Sequence, residues 1–299
     1  YSPPEPYKRL FYDGDETDPN NHSLDVLKSL PVWPFTKRHL DRIKRGITDI
    51  EYVIAQYDGE IRYVDDEVGK LLTLLDDLGI VDESLIILTS DHGESLGEHH
   101  FYFDHQEVYE PTIHVPLIIK CPQKISGGRR ISDLIQSTLS IAPTVLNYFN
   151  IDVPEVMRGR DLIPIALGEE RGENEIYVNQ GLWTGKRALR LGRWKLIKTL
   201  DKAFWDTPDI ELYDLDADPG EEHNLADERP DIVDRLELRM ERWLRRNLGK
   251  RIDPLELIVS RGLPVYKWVE RAARMEGLME KYEEWRARVD RGETPPHHS

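Results

Sequence analysis

Two short, unbroken apolar runs most limit what this chain can fold into. Leu85-Ile86-Ile87-Leu88 lies between Asp82-Glu83-Ser84 and Asp91-His92-Gly93, and Val115-Pro116-Leu117-Ile118-Ile119 follows further on. Runs of this length without polar alternation suit strands buried on both faces, and such strands need helices over the sheet. The preceding segment supplies a helical pattern. Leu40, Ile43, Ile47, Ile50, Val53, Ile54, Tyr57 and Ile61 recur at three- and four-residue spacing, Val64, Val68, Leu71, Leu72, Leu75 and Leu78 continue the stripe, and Gly79 ends it. This reads as one long amphipathic helix, or two in series with a bend near Asp58-Gly59. A second helix is expected from Leu139 to Phe149, with Pro143 in its first turns. A helix leading into a buried strand is half of a βαβ unit, so the expected class is α/β with a mostly parallel sheet flanked by helices.

Residues 1–36, rich in Pro, Asp, Asn and aromatics, show neither period and read as a long irregular excursion. The polar stretch Glu169 to Glu175 marks a boundary. We therefore expect an α/β domain over 1–168, a small α+β subdomain over 169–250, and a helical tail over 251–299. In the subdomain, Ala188 to Ile197 reads as a hairpin about Gly192, Glu211 to Leu215 as a third strand, and Ile232, Leu236, Met240, Trp243 and Leu244 as a helical stripe.

Composition narrows the partners. The 299 residues suffice for a sizeable core, and 40 Lys+Arg against 56 Asp+Glu give a net charge of −16, which repels phosphate backbones and anionic lipid. Nucleic acid and membrane are therefore not expected as partners. The apolar runs reach about six residues, against the ~20 of a membrane helix. A single cysteine, Cys121, rules out an internal disulfide and a Cys-rich zinc site, and reads as a small buried hydrophobe. No targeting signal is visible at the start of the chain, so its compartment is not read from the sequence.

The chemistry concentrates just after the first apolar run. In open α/β sheets ligands bind beyond the carboxyl ends of strands, which is where Thr89-Ser90-Asp91-His92-Gly93-Glu94 falls. A carboxylate beside an imidazole, followed by a glycine that permits a sharp turn, suits a divalent cation, although Asp as a helix cap and His as a surface residue would account for the pair equally well. His99, His100 and His105 follow closely, so four of the ten histidines fall between positions 92 and 105. Imidazole can ligate metal, donate to a developing oxyanion, or act as a general acid. There is no Gly-x-Ser-x-Gly elbow, Walker A loop or Gly-x-Gly-x-x-Gly fingerprint.

The ordered motifs resemble the sulfatases of the alkaline phosphatase superfamily. They comprise Tyr57-x-x-x-Ile61, Val64-Asp65-x-x-Val68-Gly69, Thr89 to Glu94 with Leu96-Gly97-Glu98-His99, Tyr109-Glu110, Val115 to Ile119, Ser140 to Thr144, Arg193 to Ile197, and Glu211 to Leu215 with Asp218-Pro219-Gly220-Glu221. The resemblance implies an alkaline phosphatase-like fold, incomplete at the N-terminus, and hydrolysis of a small-molecule or carbohydrate sulfate ester. Asp91 and His92 match a pair of metal ligands, with calcium as the first expectation and magnesium, manganese or zinc as alternatives. His105 matches a position usually held by a lysine that contacts the sulfate and serves the leaving group; His99 is a second catalytic candidate. His114 stands where Arg is common.

The family's nucleophile comes from a Cys/Ser-x-Pro/Ala-x-Arg signature oxidised to formylglycine. Cys121-Pro122-Gln123, Ser29-Leu30-Pro31 and Ser140-Ile141-Ala142 all lack the required arginine. The first metal pair, an Asp-Asp, is absent too. The expectation is a portion of a sulfatase without the nucleophile, inactive alone. The alternatives are a phosphodiester or phosphonate monoester hydrolase or a phosphotransferase of the same superfamily, and a catalytically inert binding chain.

Overall fold

A computed structural model describes residues 1–293, apart from the side chain of Ile43; the last positions of the expected tail, 294–299, lie outside the described residues. After 3-10 turns at Tyr7–Arg9 and Ser23–Ser29, helix α1 spans Trp33–Lys44 and α2 spans Ile50–Asp77. The two helices in series are divided by a left-handed Arg45 (φ 50°) and by Asp49, whose carboxylate caps α2 through the amide of Glu51. The break therefore lies at residues 45–49 and not near Gly59. Gly59 sits inside α2 for another reason: a Cβ there would stand 2.9 Å from the carbonyl oxygen of Tyr7, so glycine lets the first 3-10 turn lie against the helix.

Strand β1 is Ile86–Thr89; then come β2 (Ser95–Leu96), β3 (Tyr102–Asp104), α3 (Glu110–Ile113), β4 (Leu117–Lys120), α4 (Ser137–Tyr148) and α5 (Leu162–Leu167). The mostly parallel sheet expected from the sequence is not what these strands form, since every pair among the described residues is antiparallel. The reason is geometric. Thr89 pairs with Leu117, so the chain leaves β1 and re-enters β4 at the same end, and residues 90–116 form a long hairpin excursion in place of a crossover. Nor are these strands buried on both faces, for Ile118 is 61% exposed. Much of the expected stripe, including Val64, Leu71, Leu72 and the capping Leu78, also faces solvent, as does Leu74 beside it.

The second half forms a four-stranded antiparallel meander of β5 (Glu175–Gly181), β6 (Gly185–Leu191), β7 (Trp194–Asp201) and β8 (Ile210–Asp214). The expected hairpin is β6–β7, closed between Leu191 and Trp194. Strand β5 begins where sequence polarity suggested only a boundary. Period-two alternation divides this sheet into two faces. Leu189, Leu196 and Leu212 pack against Ile232, Leu236 and Met240 of α6 (Pro230–Leu248). On the other face, Ala188, Ile197 and Tyr213 join Phe101, Val108 and Tyr109 of the excursion. Helices α7 (Pro254–Arg261), α8 (Pro264–Glu276) and α9 (Met279–Asp290) are the last elements among the described residues, and Val269, Tyr282 and Trp285 enter that same core beside Phe35 of α1. No helix among the described residues is long and apolar enough to cross a membrane.

The exposed stripe on α2 makes a direct prediction. Replacing Leu71, Leu74 and Leu78 with Glu is expected to change unfolding free energy by about 0.5 kcal/mol or less per site while lowering self-association in sedimentation velocity. A large loss of stability would show that these side chains are buried in solution.

Candidate active site

The excursion between β1 and β4 carries the candidate site. Past Thr89 the chain turns through Asp91, whose carboxylate accepts from the His92 amide at 3.1 Å. Gly93 then presses against α3: its amide donates to the Thr112 carbonyl at 2.8 Å, and a Cβ would fall 2.0 Å from the carbonyl oxygen of Pro111. Close backbone approach, not unusual torsion, is why glycine follows the Asp91-His92 pair.

His92 and His105 meet here. Their rings stack at 3.9 Å between centroids with 15° between planes, and His105 Nδ1 lies 3.2 Å from Glu94 Oε2. One donor atom each from His92, Glu94 and His105 fall within 4.8 Å of one another, a spacing that one divalent cation could span. Asp91 stands beside this group, 88% exposed at its side chain, with Oδ2 3.7 Å from His92 Nε2. The nearby imidazole holds its carboxyl below the usual carboxylate range, as do backbone hydrogen bonds from the turn. The structure thus brings together Asp91, His92 and His105. It adds Glu94, which sequence reasoning quoted within the motif but did not single out; its position two residues after His92 in a tight turn was the available signal. Tyr1 reaches the same carboxylate, donating its phenol to Glu94 Oε1.

His99 belongs to different surroundings. Its ring stacks on Tyr109 at 3.7 Å and lines a pocket of about 320 Å³ with Glu98, Tyr213, Gly220, Glu221, Glu222 and Asn224. Burial pushes its imidazole down to about 4, opposed by Glu211 and reinforced by Lys186 and Lys195. A neutral ring packed on a tyrosine is placed to support the excursion from within. His114 Nδ1 lies 3.6 Å from Glu110 Oε2, and Cys121 is buried beside Ile125 and Ile163.

Because the His99 imidazole has a lower pKa folded than unfolded, the unfolded chain binds more protons between about pH 6.5 and 4, and this contribution to stability is lost as the pH falls through that window. His99→Asn, which tolerates the left-handed φ of 53° at this position, is expected to flatten the acid decline of the unfolding free energy by on the order of 2 kcal/mol. Denaturant titrations of both proteins at pH 7 and pH 4 check it; parallel declines would place His99 in solvent.

The chain is similar to known sulfatases. The family model "Sulfatase" matches residues 1–151, and "N-sulphoglucosamine sulphohydrolase, C-terminal" matches residues 97–246. A choline-sulfatase of Rhizobium meliloti (strain 1021) is 30% identical over 229 residues, which cover 75% of this chain and 41% of the relative. A solved structure of a protein in complex with its substrate D-glucosamine-2-N,6-O-disulfate superposes with a TM-score of 0.61 at 26% identity, covering 74% of this chain and 47% of that one. A phosphonate monoester hydrolase from Silicibacter pomeroyi shares the fold with a TM-score of 0.63 at 24% identity, covering 83% of this chain and 55% of that one. The chain thus spans about half or less of the length of the first two, and the structural matches place it in the α/β fold of the alkaline phosphatase superfamily. With the Sulfatase model matching half of its length across the excursion that carries Asp91, His92 and His105, the chain belongs to the sulfatase family.

Proposed function

We propose that this chain contributes the cation-binding and sulfate-contacting groups of a sulfuric ester hydrolase, with the nucleophile not among its 299 residues. The convergence of His92, Glu94 and His105 in the excursion after β1 carries this reading. Asp91 and His92 would hold a divalent cation, with Glu94 within reach. Such an ion supplies Lewis-acid polarisation of a sulfate oxygen. Glu94 accepts from His105 Nδ1 and fixes that ring, leaving Nε2 for a sulfate oxygen or the leaving oxygen of the ester. Protonated at both nitrogens, the ring would donate where the lysine common at this position in the family does. The substrate class is a sulfated small molecule or carbohydrate; a relative at 26% identity that binds a disulfated glucosamine favours a sulfated sugar.

The donor set bears on the ion. Calcium takes six to eight oxygens, whereas a set that mixes the His92 imidazole with the Asp91 and Glu94 carboxylates suits manganese. Isothermal titration of the purified chain is expected to show tighter binding of Mn²⁺ than of Ca²⁺, weakened roughly tenfold or more by His92→Ala. Equal affinity of wild type and variant would remove His92 from the ligand set.

Activity is tested with an aryl sulfate. The purified 299-residue chain is expected to give no turnover above buffer at any divalent ion concentration. Turnover that disappears with Asp91→Ala would overturn the assignment of the nucleophile to another polypeptide segment.

A further inference from the structure

The residues that follow His105 are fastened to the C-terminal sheet at nearly every position. Gln180 of β5 donates its side-chain amide to the Gln106 carbonyl. Glu107 accepts from Thr184 Oγ1 at 2.7 Å and lies 3.1 Å from Lys186 Nζ, with both side chains of that ion pair essentially without solvent contact. Val108 is fully buried in the core against this face of the sheet. Tyr109 accepts from Lys186 Nζ at 2.9 Å and donates to Glu211 at 2.8 Å. Glu110 binds Lys195 and Arg190, each at 3.0 Å, and its amide donates to Glu221 at 2.7 Å. Immediately before this strap, Asp104 Oδ1 accepts from the amides of both His105 and Gln106, which closes a tight turn around His105. His105 thus stands in one short turn between a three-residue strand and a clamped segment.

We infer that Lys186, together with Thr184, is a positioning residue for His105: the pair anchors the strap 106–110 to the C-terminal sheet and so sets where the His105 ring stands against His92 and Glu94. Lys186 touches none of those groups and acts through Glu107 and Tyr109. Clamping at this precision is what a catalytic ring needs, since a displacement near one ångström is enough to spoil a working geometry. The catalytic meaning of this placement rests on the sulfatase reading above. The experiment is chosen to be blind to that reading, because it observes the ring and not the reaction.

The stack of His92 on His105 provides the readout. In the wild-type chain with ¹³C-labelled histidine, a nuclear Overhauser contact is expected between the two rings. Thr184→Val removes one hydrogen bond at little change of volume, and Lys186→Met removes the charge. Both are expected to lose that contact and to speed hydrogen exchange across residues 105–113 roughly tenfold. Asp253→Asn is the control. It weakens the buried pair between Asp253 and Arg187, the neighbour of Lys186 on β6, and Asp253 caps α7 without touching the strap. It is expected to lower thermal stability while keeping the ring contact. Should Lys186→Met fail to fold, Thr184→Val decides alone. Retention of the ring contact and of wild-type exchange in Thr184→Val, or their loss in Asp253→Asn as well, would overturn the inference.

Discussion

Two lysines with no solvent contact hold the protein together. Lys186 and Lys195 project from the same face of the C-terminal sheet, and an ammonium taken out of water is tolerable only if carboxylates and hydrogen-bond acceptors replace its hydration. The sheet itself supplies one partner, Glu211, and the turn after β8 supplies Glu221. The others, Glu107 and Glu110, come from the excursion between β1 and β4. Burial pushes the carboxyls of Glu107 and Glu221 up even though each faces a lysine, which marks how much desolvation the cluster carries. Neither part of the molecule satisfies these charges alone.

This arrangement separates two kinds of work within one loop. Asp91, His92 and Glu94 stand on the near side of the excursion, held by the contact of Gly93 with α3, and remain accessible enough to meet a ligand. Residues 106–110 form the far side and are almost wholly consumed in anchoring. His105 stands at the junction, with a third or more of its side chain exposed. The acidic balance of the chain makes the junction more telling. To handle the anionic ester proposed above, a chain of charge −16 would have to gather positive charge locally, and the paired imidazoles with the proposed cation are groups that would do so.

Much of the candidate site was legible because its residues are near neighbours in sequence. Asp91, His92 and His105 share one excursion, and their order matches a known motif. The strap was not legible. Lys186 and Lys195 sit in strands where alternation suggested only a hairpin, and nothing local distinguishes a fully buried lysine from a solvated one. Glu94 looked like part of a polar turn until its hydrogen bond to His105 was seen. The fold shows the same division. Helical period located α2, α4 and α6, but the break at Arg45 depends on one left-handed residue and a cap at Asp49, and periodicity preferred the glycine at position 59. Strand direction was not legible for these strands. Two apolar runs announce strands without saying whether the chain between them crosses the sheet or returns to the same end, and Thr89 opposite Leu117 settles that for the return.

The register of β1 against β4 also governs when the site can exist. Pairing Thr89 with Leu117 requires only the closure of the excursion itself, so the strands that flank the site can meet using local chain. The bonds that give the excursion its shape join residues 74 to 111 positions apart. During synthesis the loop bearing Asp91, His92 and His105 therefore leaves the ribosome well before the lysines that arrange it, and it acquires its working shape only once the last strands of the distant sheet are in place.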